Sequence, residues 1–551
     1  MKTHYALTTL LVAGAVAPAH AKQDNKQQDN KRPNILFCIA DDASFAHFSA
    51  NGSKWVNTPA FDKVAKNGIL FTNCYTSNAK SAPSRASVLT GLYSWQAGEA
   101  GNHIPNFPAD LKVFTEVLSD NGYAIAFTGK GWAPGDPGTL ADGSKRLLTG
   151  KPYQKRKLTP PTKGINVNDY AGNFADFLEE NKGDQPWMFW FGATEPHRGY
   201  EYGSGEKLAG KTRAMINDFP AFWPDDPAIR TDMLDYAFEI EYFDQQLAKI
   251  VSELEKRKLL DNTIIVITSD NGMPFPRCKA NNYEYSSHMP LAIMWKNGII
   301  KPGREISDFV NFVDFAPTFL ELAKVNIKKS GMKDFPGRSL LPLFKSSTNG
   351  RIDPERNYTL LGRERHDYGR PGNQGYPIRG IIKENLLYLN NLKPELSAAG
   401  SPETGYLDID GSPTKSFIID MKREGKELKY WELSFGKRNA EELYDLSKDK
   451  FCVNNLAENP VYTKVKEALR KQMTEALISQ NDPRMTGNGD VFDQYPYDKD
   501  LQHAWNFWEK VVSGEISQPW KMTNWVRPTD YDAFVKQKKN KELKTLEEYF
   551  E

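Results

Sequence analysis

The chain contains 551 residues, of which 39% are hydrophobic and 26% are charged, and its formal net charge at pH 7 is +1. A chain of this length exceeds what one hydrophobic core normally organises, so we expect at least two packed units. The near-neutral charge gives no support for binding to nucleic acid or to an anionic membrane surface. Recognition of an anion would therefore depend on the local placement of Arg, Lys and His side chains.

The N-terminus has the pattern of a secretory signal peptide over residues 1–21. Lys2 supplies a basic start, Ala6–Ala17 is apolar, and Ala19-His20-Ala21 is a small-x-small cleavage site. The apolar run is too short to span a bilayer. Residues 22–32 form a polar tether that we expect to be disordered. We therefore predict a secreted protein, in the bacterial periplasm or outside the cell, without membrane insertion.

Apolar runs alternate with helical patterns along residues 33–350. The predicted strands are Pro33–Ala40, Tyr123–Thr128, Trp187–Gly192, Asn262–Thr268 and Pro290–Trp295. Helical patterns lie between them, including Thr58–Phe71 (which ends in a short strand), Leu111–Asn121 and Arg230–Lys258, and Val310–Ala323 continues the alternation. This order predicts an α/β domain with a large, mostly parallel sheet flanked by helices.

A change of pattern near residue 350 predicts a second unit over residues 351–551. Short strand-like runs at Tyr358–Leu361, Ile378–Ile382 and Leu386–Leu389 are separated by turn residues, which is typical of a small antiparallel sheet. Pro460–Ile478 has the pattern of a surface helix. The tail after Met485 is rich in aromatic residues, and we expect it to wrap around the body of the protein.

Carboxylate and amide side chains follow two of the predicted buried strands. Asp41 and Asp42 follow the first strand, and Asp270 and Asn271 follow Asn262–Thr268. Ligand sites in open α/β sheets lie at these strand ends. Adjacent carboxylates repel each other unless a cation neutralises them, and oxygen ligands favour calcium or magnesium over zinc or copper. The pattern therefore predicts a site for a hard divalent cation.

The stretch Cys74–Gly91 passes from polar turn formers into an apolar helical run. This layout places Ser81 and Arg85 at a helix N-terminus, where free backbone N–H groups and the helix dipole favour an anion. Pro83 suits an early helical position. A hydroxyl group and a guanidinium group four residues later thus share one electropositive region.

The string Ser81-Ala82-Pro83-Ser84-Arg85, with Thr90-Gly91 downstream, resembles the signature of sulfatases. The resemblance implies that Ser81 is oxidised to formylglycine by a serine-type maturing enzyme, and that the hydrated aldehyde is the nucleophile. It also implies calcium bound by residue 81 together with Asp41, Asp42, Asp270 and Asn271. A native serine and an engineered replacement of cysteine give the same sequence at position 81.

The resemblance also implies a set of basic catalytic residues: Arg85, Lys130, His197 and Lys279. A sulfate ester requires cations around its non-bridging oxygens and a proton donor for the departing alkoxide. Lys130 follows Gly129 and His197 follows Pro196 as in sulfatases, and Lys279 has the matching spacing to Tyr283-Glu284. The implied roles are charge stabilisation by Lys130, Lys279 and Arg85, and protonation of the leaving group by His197.

Two positions depart from the family pattern. A family histidine falls near Trp132, and a family arginine falls on His288. We interpret both as residues of the substrate pocket. The complete set of predicted sugar contacts is Asn102, His103, Trp132, His288, Arg363, Arg365, His366 and Asp367.

The resemblance within the family is greatest to sulfamidases and to bacterial carbohydrate sulfatases of similar architecture. It predicts a carbohydrate sulfatase, exo-acting on a glycosaminoglycan or mucin-type glycan, and leaves N-sulfate and O-sulfate hydrolysis open. A phosphoester hydrolase of the same superfold, with Ser81 itself as nucleophile, is an alternative, as is an inactive glycan-binding protein. The oligomeric state is not predicted.

Overall fold

The computed structural model describes residue 1, residues 31–499 and residues 505–516. The predicted signal peptide lies outside the described residues apart from Met1, as do residues 22–30 of the predicted tether. The last two tether residues contact the body of the protein: Lys31 pairs with Asp184, and Arg32 donates a hydrogen bond to the backbone carbonyl of Asn121.

The described part of the chain contains thirteen strands in two sheets. The first sheet consists of β1 (Asn34–Ala40), β2 (Ile69–Tyr75), β3 (Ala124–Gly129), β4 (Lys151–Pro152), β5 (Trp187–Gly192), β6 (Thr263–Ser269), β7 (His288–Met294), β8 (Arg304–Ile306) and β9 (Val310–Asn311). The second consists of β10 (Tyr358–Arg363), β11 (Ile378–Lys383), β12 (Leu386–Asn391) and β13 (Glu441–Asp445).

The first sheet is mostly parallel. Its strand order is β4-β3-β5-β1-β6-β7-β2-β8, and β9 also pairs with β2. Only β7 runs antiparallel to its neighbours, β6 and β2, among the described strands of this sheet. The second sheet is antiparallel throughout, in the order β10-β11-β12-β13. Both features confirm the predicted fold class.

Helices surround the two sheets. They are α1 (Pro59–Lys66), α2 (Ser81–Thr90), α3 (Phe114–Asp120), α4 (Tyr170–Glu180), α5 (Ser204–Ala209), α6 (Pro227–Lys256), α7 (Glu284–Ser287), α8 (Phe315–Leu322), α9 (Leu341–Phe344), α10 (Pro413–Arg423), α11 (Leu428–Phe435), α12 (Thr463–Ser479), α13 (Val491–Gln494) and α14 (Phe507–Val512). No helix in the described ranges is long and apolar enough to cross a membrane.

The central strand β1 shows why the sequence forms a sheet that is buried on both faces. Leu36 and Cys38 pack into the core on one face with residues of α4 and α6, whereas Ile35 and Phe37 pack into the other with residues of α2 and α8. Side chains alternate along a strand, so a continuous apolar run supplies both cores.

The topology places the predicted site residues together. Strands β5 and β6 lie on either side of β1 and run parallel to it, and Ala40 is paired in register with Ser269. Asp41 and Asp270 therefore leave the sheet side by side. The backbone N–H of Asp41 donates to the carbonyl of Glu195 in the segment after β5, 3.0 Å away, which brings His197 to the same edge.

Candidate active site

Helix α2 begins at Ser81 and is buried along its whole length. The hydroxyl of Ser84 donates a 2.5 Å hydrogen bond to the backbone carbonyl of Asp270, which fastens the first turn of the helix to the end of β6. Ser81 thus presents its hydroxyl beside the carboxylates that follow β1 and β6, and the N–H groups of the first turn point toward the same region.

Three carboxylates meet at this edge: Asp41, Asp42 and Asp270. One oxygen from each lies within 4.8 Å of the others. Consecutive residues of a strand point to opposite faces, but Asp42 has φ of 79°, so the chain turns and both carboxylates of the Asp-Asp pair reach the site. The backbone N–H of Asp42 donates to Oδ1 of Asp270 at 3.0 Å and holds this turn.

Asn271 completes the cluster. Its Nδ2 donates to Oδ1 of Asp42 at 2.6 Å, while its Oδ1 is buried and makes no hydrogen bond with the described residues. The following Gly272 is required by close packing, because a Cβ there would lie 1.8 Å from the carbonyl oxygen of Tyr285. The sequence Asp-Asn-Gly is therefore a tightly packed strand end that directs oxygen atoms into the site.

Three cations balance the three carboxylates. Arg85 pairs with Asp270 at 2.9 Å, Lys130 with Asp41 at 2.7 Å, and Lys279 with Asp42 at 2.8 Å. All three carboxylates are buried, so the ionised form of each would be strongly disfavoured without a cationic partner. The three ion pairs together have no net charge. A divalent cation and an anionic substrate would therefore balance each other's charge when both are bound.

The carboxyl pKa values reflect these contacts. Burial raises the pKa of Asp41, but Lys130 and Arg85 outweigh it and hold that pKa well below its usual range. Burial, together with the charge of Asp41, raises the pKa of Asp270 to about 7. Two carboxylates lie side by side, one with a raised pKa and one ionised. A bound cation would stabilise the ionised form of both.

These residues fit a hard divalent cation. The buried and unpartnered Oδ1 of Asn271 and the oxygens of three carboxylates form an all-oxygen donor set, which suits calcium or magnesium. Among the residues that the structure describes, this is the single group of three or more potential Asp, Glu, His or Cys ligands.

The guanidinium of Arg85 is held by backbone as well as by Asp270. Its Nη1 donates to the carbonyls of Lys130 and Gly131 at 3.0 and 2.9 Å. Its Nη2 lies 3.5 Å from Oδ1 of Asp41 and makes no hydrogen bond with the described residues. One N–H group of a buried, fixed guanidinium therefore remains available beside the Ser81 position.

Lys130 contacts the Ser81 hydroxyl directly. Its Nζ lies 3.1 Å from Oγ of Ser81, and the same Oγ lies 3.1 Å from Oδ1 of Asp41. An ammonium and a carboxylate thus meet at the position of the predicted nucleophile.

His197 stands at the edge of the cluster. Its Nδ1 faces the backbone carbonyl of Arg198 at 3.2 Å, and its Nε2 lies 3.9 Å from Oδ2 of Asp42. A carbonyl only accepts hydrogen bonds, so Nδ1 carries the proton in the neutral ring and Nε2 is the atom that can take up or release one.

A cavity of about 330 Å³ opens over this cluster. Ser81, Lys130, His197 and Lys279 line the end next to the carboxylate cluster. The remaining lining residues are Lys80, His103, Ile104, Ala133, Pro134, Asp367, Tyr368, Leu407 and Asp410. The cavity therefore lies between the edge of the first sheet and segments that follow β10 and precede α10.

Comparison with known proteins assigns the chain to a family. The family profile described as Sulfatase matches residues 33–325. The chain belongs to the sulfatase family. The predicted resemblance is confirmed, and the class of activity assigned to the chain is that of a sulfuric ester hydrolase.

Two curated relatives match this sulfatase over 82% of its length. An ulvan-active sulfatase of Formosa agariphila is 28% identical, and the match covers 81% of it. The human N-sulphoglucosamine sulphohydrolase is 26% identical, and the match covers 91% of it. A solved structure described as a complex with its substrate D-glucosamine-2-N,6-O-disulfate shares the fold, with 21% identity, a TM-score of 0.58, and coverage of 82% of this chain and 99% of that chain.

Two of the eight predicted sugar contacts of the sulfatase, His103 and Asp367, line the cavity. His103 Nδ1 lies 3.0 Å from Oδ1 of Asp367. The other six predicted contacts are not among the lining residues: Asn102, Trp132, His288, Arg363, Arg365 and His366.

The charged run from Arg363 to His366 is buried and has partners within the protein, which corrects the expected sugar-contacting loop. Arg363 pairs with Asp408 at 2.5 Å, Arg365 donates to the backbone carbonyl of Tyr495 at 2.5 Å, and His366 bonds to Asn78 at 2.7 Å. These side chains bond to other segments of the protein, and they are not among the residues that line the cavity.

Three further predicted contacts also lie elsewhere. Asn102 Nδ2 donates to the carbonyl of Phe492, and the indole N–H of Trp132 donates to the carbonyl of Ala82. His288 is stacked between Phe45 and Tyr75, with ring centroids 3.8 and 4.5 Å away, and is bonded to Glu284. These contacts occupy each side chain within the protein, and none of the three lines the cavity.

Sequence reasoning missed two charged lining residues, Lys80 and Asp410. Lys80 directly precedes Ser81, and that position alone could have drawn attention to it. Asp410 pairs with Lys279 at 3.1 Å, but it lies in an irregular segment before α10, where no sequence pattern marks it.

Proposed function

We propose that this sulfatase is a secreted carbohydrate O-sulfatase that removes sulfate from the terminal sugar of a sulfated glycan, with Ser81 converted to formylglycine and calcium as the cation. The observation that carries this proposal is the position of the Ser81 hydroxyl, 3.1 Å from both Lys130 and Asp41 at the base of the cavity. The signal-like residues 1–21 support secretion.

The metal-binding role is assigned to Asp41, Asp42, Asp270, Asn271 and residue 81. When bound there, a divalent cation would supply positive charge next to residue 81 and to a sulfate oxygen. The three carboxylates would hold it, and each is itself held in place: Asp41 by Lys130, Asp270 by Arg85 and Asp42 by Lys279.

The basic residues are assigned to the sulfate group. Arg85 and Lys130 lie beside residue 81, and Lys279 lies across the carboxylate cluster on Asp42. Cations that are fixed before the substrate binds stabilise charge that develops in the transition state without reorganisation. His197 is assigned as the proton donor to the leaving oxygen, since its Nε2 is the ring nitrogen free of the backbone carbonyl.

The size of the cavity supports action on one terminal sugar. Its volume of about 330 Å³ is at the lower end of the range of about 300–1,000 Å³ for ligand sites. The printed names of the two curated relatives, ulvan-active sulfatase and N-sulphoglucosamine sulphohydrolase, support a carbohydrate substrate.

N-sulfate hydrolysis is a second candidate. The match to the human N-sulphoglucosamine sulphohydrolase covers 91% of that protein, which favours this candidate. The two reactions differ in the atom that is released, oxygen or nitrogen, and the same proton donor at His197 would serve either.

Sulfate release tests the proposal. Protein produced together with a serine-type maturing enzyme is incubated with glucosamine N-sulfate and with O-sulfated hexoses and N-acetylhexosamines, and free sulfate is measured. We expect release from an O-sulfated terminal sugar and none after Ser81→Ala. Release from glucosamine N-sulfate alone would favour the second candidate. Release of phosphate from phosphate monoesters, with no sulfate from any substrate, would contradict both.

A further inference from the structure

Two ion pairs in the cavity lining have the same pattern of exposure. Lys80 pairs with Asp367 at 2.7 Å, and Lys279 pairs with Asp410 at 3.1 Å. In each pair the carboxylate side chain is 18% exposed, whereas the lysine side chain is 4% exposed. Both lysines also line the cavity, but the carboxylates are the more exposed members of the two pairs. We call Asp367 and Asp410 together the carboxylate wall.

The carboxylate wall is ionised and held in place. Lys80 and His103 bind the two oxygens of Asp367, and the backbone N–H of Asp367 donates to Oδ1 of Asp408 at 2.9 Å. Burial raises the pKa of Asp367, but Lys80 and His103 outweigh it and hold that pKa well below its usual range. The wall therefore presents fixed acceptors to the cavity.

Asp410 is held by its ion pair in a similar way. Its Oδ2 is buried and lies 3.1 Å from the ammonium of Lys279. Burial raises the pKa of Asp410, but Lys279 and Lys80 outweigh it and hold that pKa below its usual range. The exposed part of the side chain does not include Oδ2, so a donor from a ligand would approach Oδ1.

The rest of the lining divides the cavity into chemically different parts. Lys130 and His197 surround Ser81, whereas Ile104, Pro134 and Leu407 are apolar. A sugar has C–H faces for apolar contact and hydroxyl groups that donate hydrogen bonds. Its sulfate suits the cationic end, and its free hydroxyls suit the carboxylate wall. A second sulfate placed against that wall would meet two carboxylates whose lysine partners are already engaged in ion pairs and are less exposed.

We propose that the carboxylate wall selects for free hydroxyl groups, so that the preferred substrate is a terminal sugar with a single sulfate and hydroxyls at the neighbouring positions. A sugar with a second sulfate at one of those positions is rejected. This inference rests on the proposed function for its choice of ligand class, but it can be tested by binding alone.

The test compares sugars that differ by one sulfate. Isothermal titration calorimetry on calcium-loaded Ser81→Ala protein measures the dissociation constants of N-acetylgalactosamine 4-sulfate, 6-sulfate and 4,6-disulfate, and of glucosamine N-sulfate, 6-sulfate and N,6-disulfate. In at least one series we expect a singly sulfated sugar to bind about tenfold or more tightly than the disulfate, because like charges brought together cost several kcal/mol.

Variants of the wall then connect that preference to named residues. In Ser81→Ala protein that also carries Asp367→Asn or Asp410→Asn, we expect the ratio of the two dissociation constants to fall to about threefold or less, since a charge has been removed. Asp176→Asn is the matched control, because Asp176 is a carboxylate that pairs with Arg156 outside the cavity. It should leave the ratio unchanged.

The inference is overturned if the disulfates bind as tightly as the singly sulfated sugars, if no sugar binds, or if the wall variants leave the ratio as it was. Failure of the proposed function looks different. In that case matured wild-type protein releases no sulfate from any of these sugars or from an aryl sulfate, whatever the binding pattern.

Discussion

The ammonium of Lys130 lies 3.1 Å from the hydroxyl of Ser81, 49 positions away in sequence. The same ammonium bonds to both oxygens of Asp41, at 2.9 and 2.7 Å. This contact brings the end of β3 to the start of α2 and to the end of β1. It gives position 81 a fixed positive charge that the sequence alone could only suggest.

The first prediction concerns this lysine. Lys130→Met removes the ammonium and keeps a side chain of similar length, so kcat for sulfate release should fall by about 10²–10³, the usual loss when one fixed charge-stabilising donor is removed. The KM should change much less. Lys151→Met removes an exposed lysine paired with Glu180 and should leave kcat within about twofold, as expected for a surface ion pair.

Steady-state kinetics measures kcat and KM for both variants. Mass spectrometry must first show that Ser81 is converted to formylglycine to the same extent in wild type and in both variants. An equal kcat in wild type and Lys130→Met would refute the assigned role.

The second prediction concerns Asp232, which connects the segment after β5 to the start of α10. It accepts hydrogen bonds from Arg198, next to His197, at 2.7 and 2.9 Å, and from the hydroxyl of Thr414 at 2.6 Å. Both members of its ion pair are buried. Asp232→Asn leaves the Arg198 guanidinium buried without its counter-charge, and we expect a loss of about 3–5 kcal/mol in the free energy of unfolding.

Urea denaturation measures this loss. The matched control is Asp225→Asn, just before the same helix α6, because Asp225 pairs with Arg230 at the surface. It should cost less than about 1 kcal/mol. Equal effects of the two substitutions would contradict the structural role given to Asp232.

The third prediction concerns the cation. Protein stripped with a chelator should gain stability on addition of calcium, by about 2.7 kcal/mol at a concentration one hundred times the dissociation constant. Thermal unfolding at increasing calcium concentration follows the gain. Asp270→Asn removes one carboxylate of the cluster and should abolish the dependence, whereas Asp176→Asn should retain it. A calcium effect of unchanged size in Asp270→Asn would place the cation elsewhere.

The fourth prediction is a pH dependence that arises from His47. Burial lowers the pKa of this ring from 6.5 to about 3, and its Nδ1 bonds to the hydroxyl of Tyr236 at 3.0 Å. Between these pKa values the unfolded chain binds a proton that the folded protein excludes. Stability from this residue is therefore complete above pH 6.5 and falls by about 1.4 kcal/mol per pH unit below it.

His47→Gln keeps a polar side chain that does not titrate. The free energy of unfolding of wild type minus that of the variant should shrink by about 2 kcal/mol between pH 7 and pH 5. Chemical denaturation at the two pH values measures it. A difference that stays constant, or that grows on acidification, would show that His47 becomes protonated in the folded protein.

Much of the fold and the centre of the site could be predicted from sequence. The apolar runs of β1 and β6 are long and buried on both faces, so their pattern is unambiguous, and parallel pairing then aligns Asp41 with Asp270. The signature around Ser81 is local, and α2 begins where it predicts. Local patterns and regular pairing were sufficient for these residues.

The wall of the cavity could not be predicted in this way. Lys80 and Asp367 are 287 positions apart, and their contact depends on how the segment after β10 lies against α2. The run from Arg363 to His366 looks like a solvated charged loop, yet Asp408, Asn78 and backbone carbonyls near residue 495 bury it. A sequence shows which residues are charged, but only the structure shows which charges are paired with each other.

The mass of a proteolytic peptide spanning Ser81, taken from protein made in its native host, tests the central claim most directly. The sulfatase mechanism predicts a loss of two hydrogens relative to serine, the change from hydroxymethyl to aldehyde, in the same preparation that releases sulfate. An unmodified serine in a preparation that still releases sulfate would contradict the assignment of formylglycine as the nucleophile.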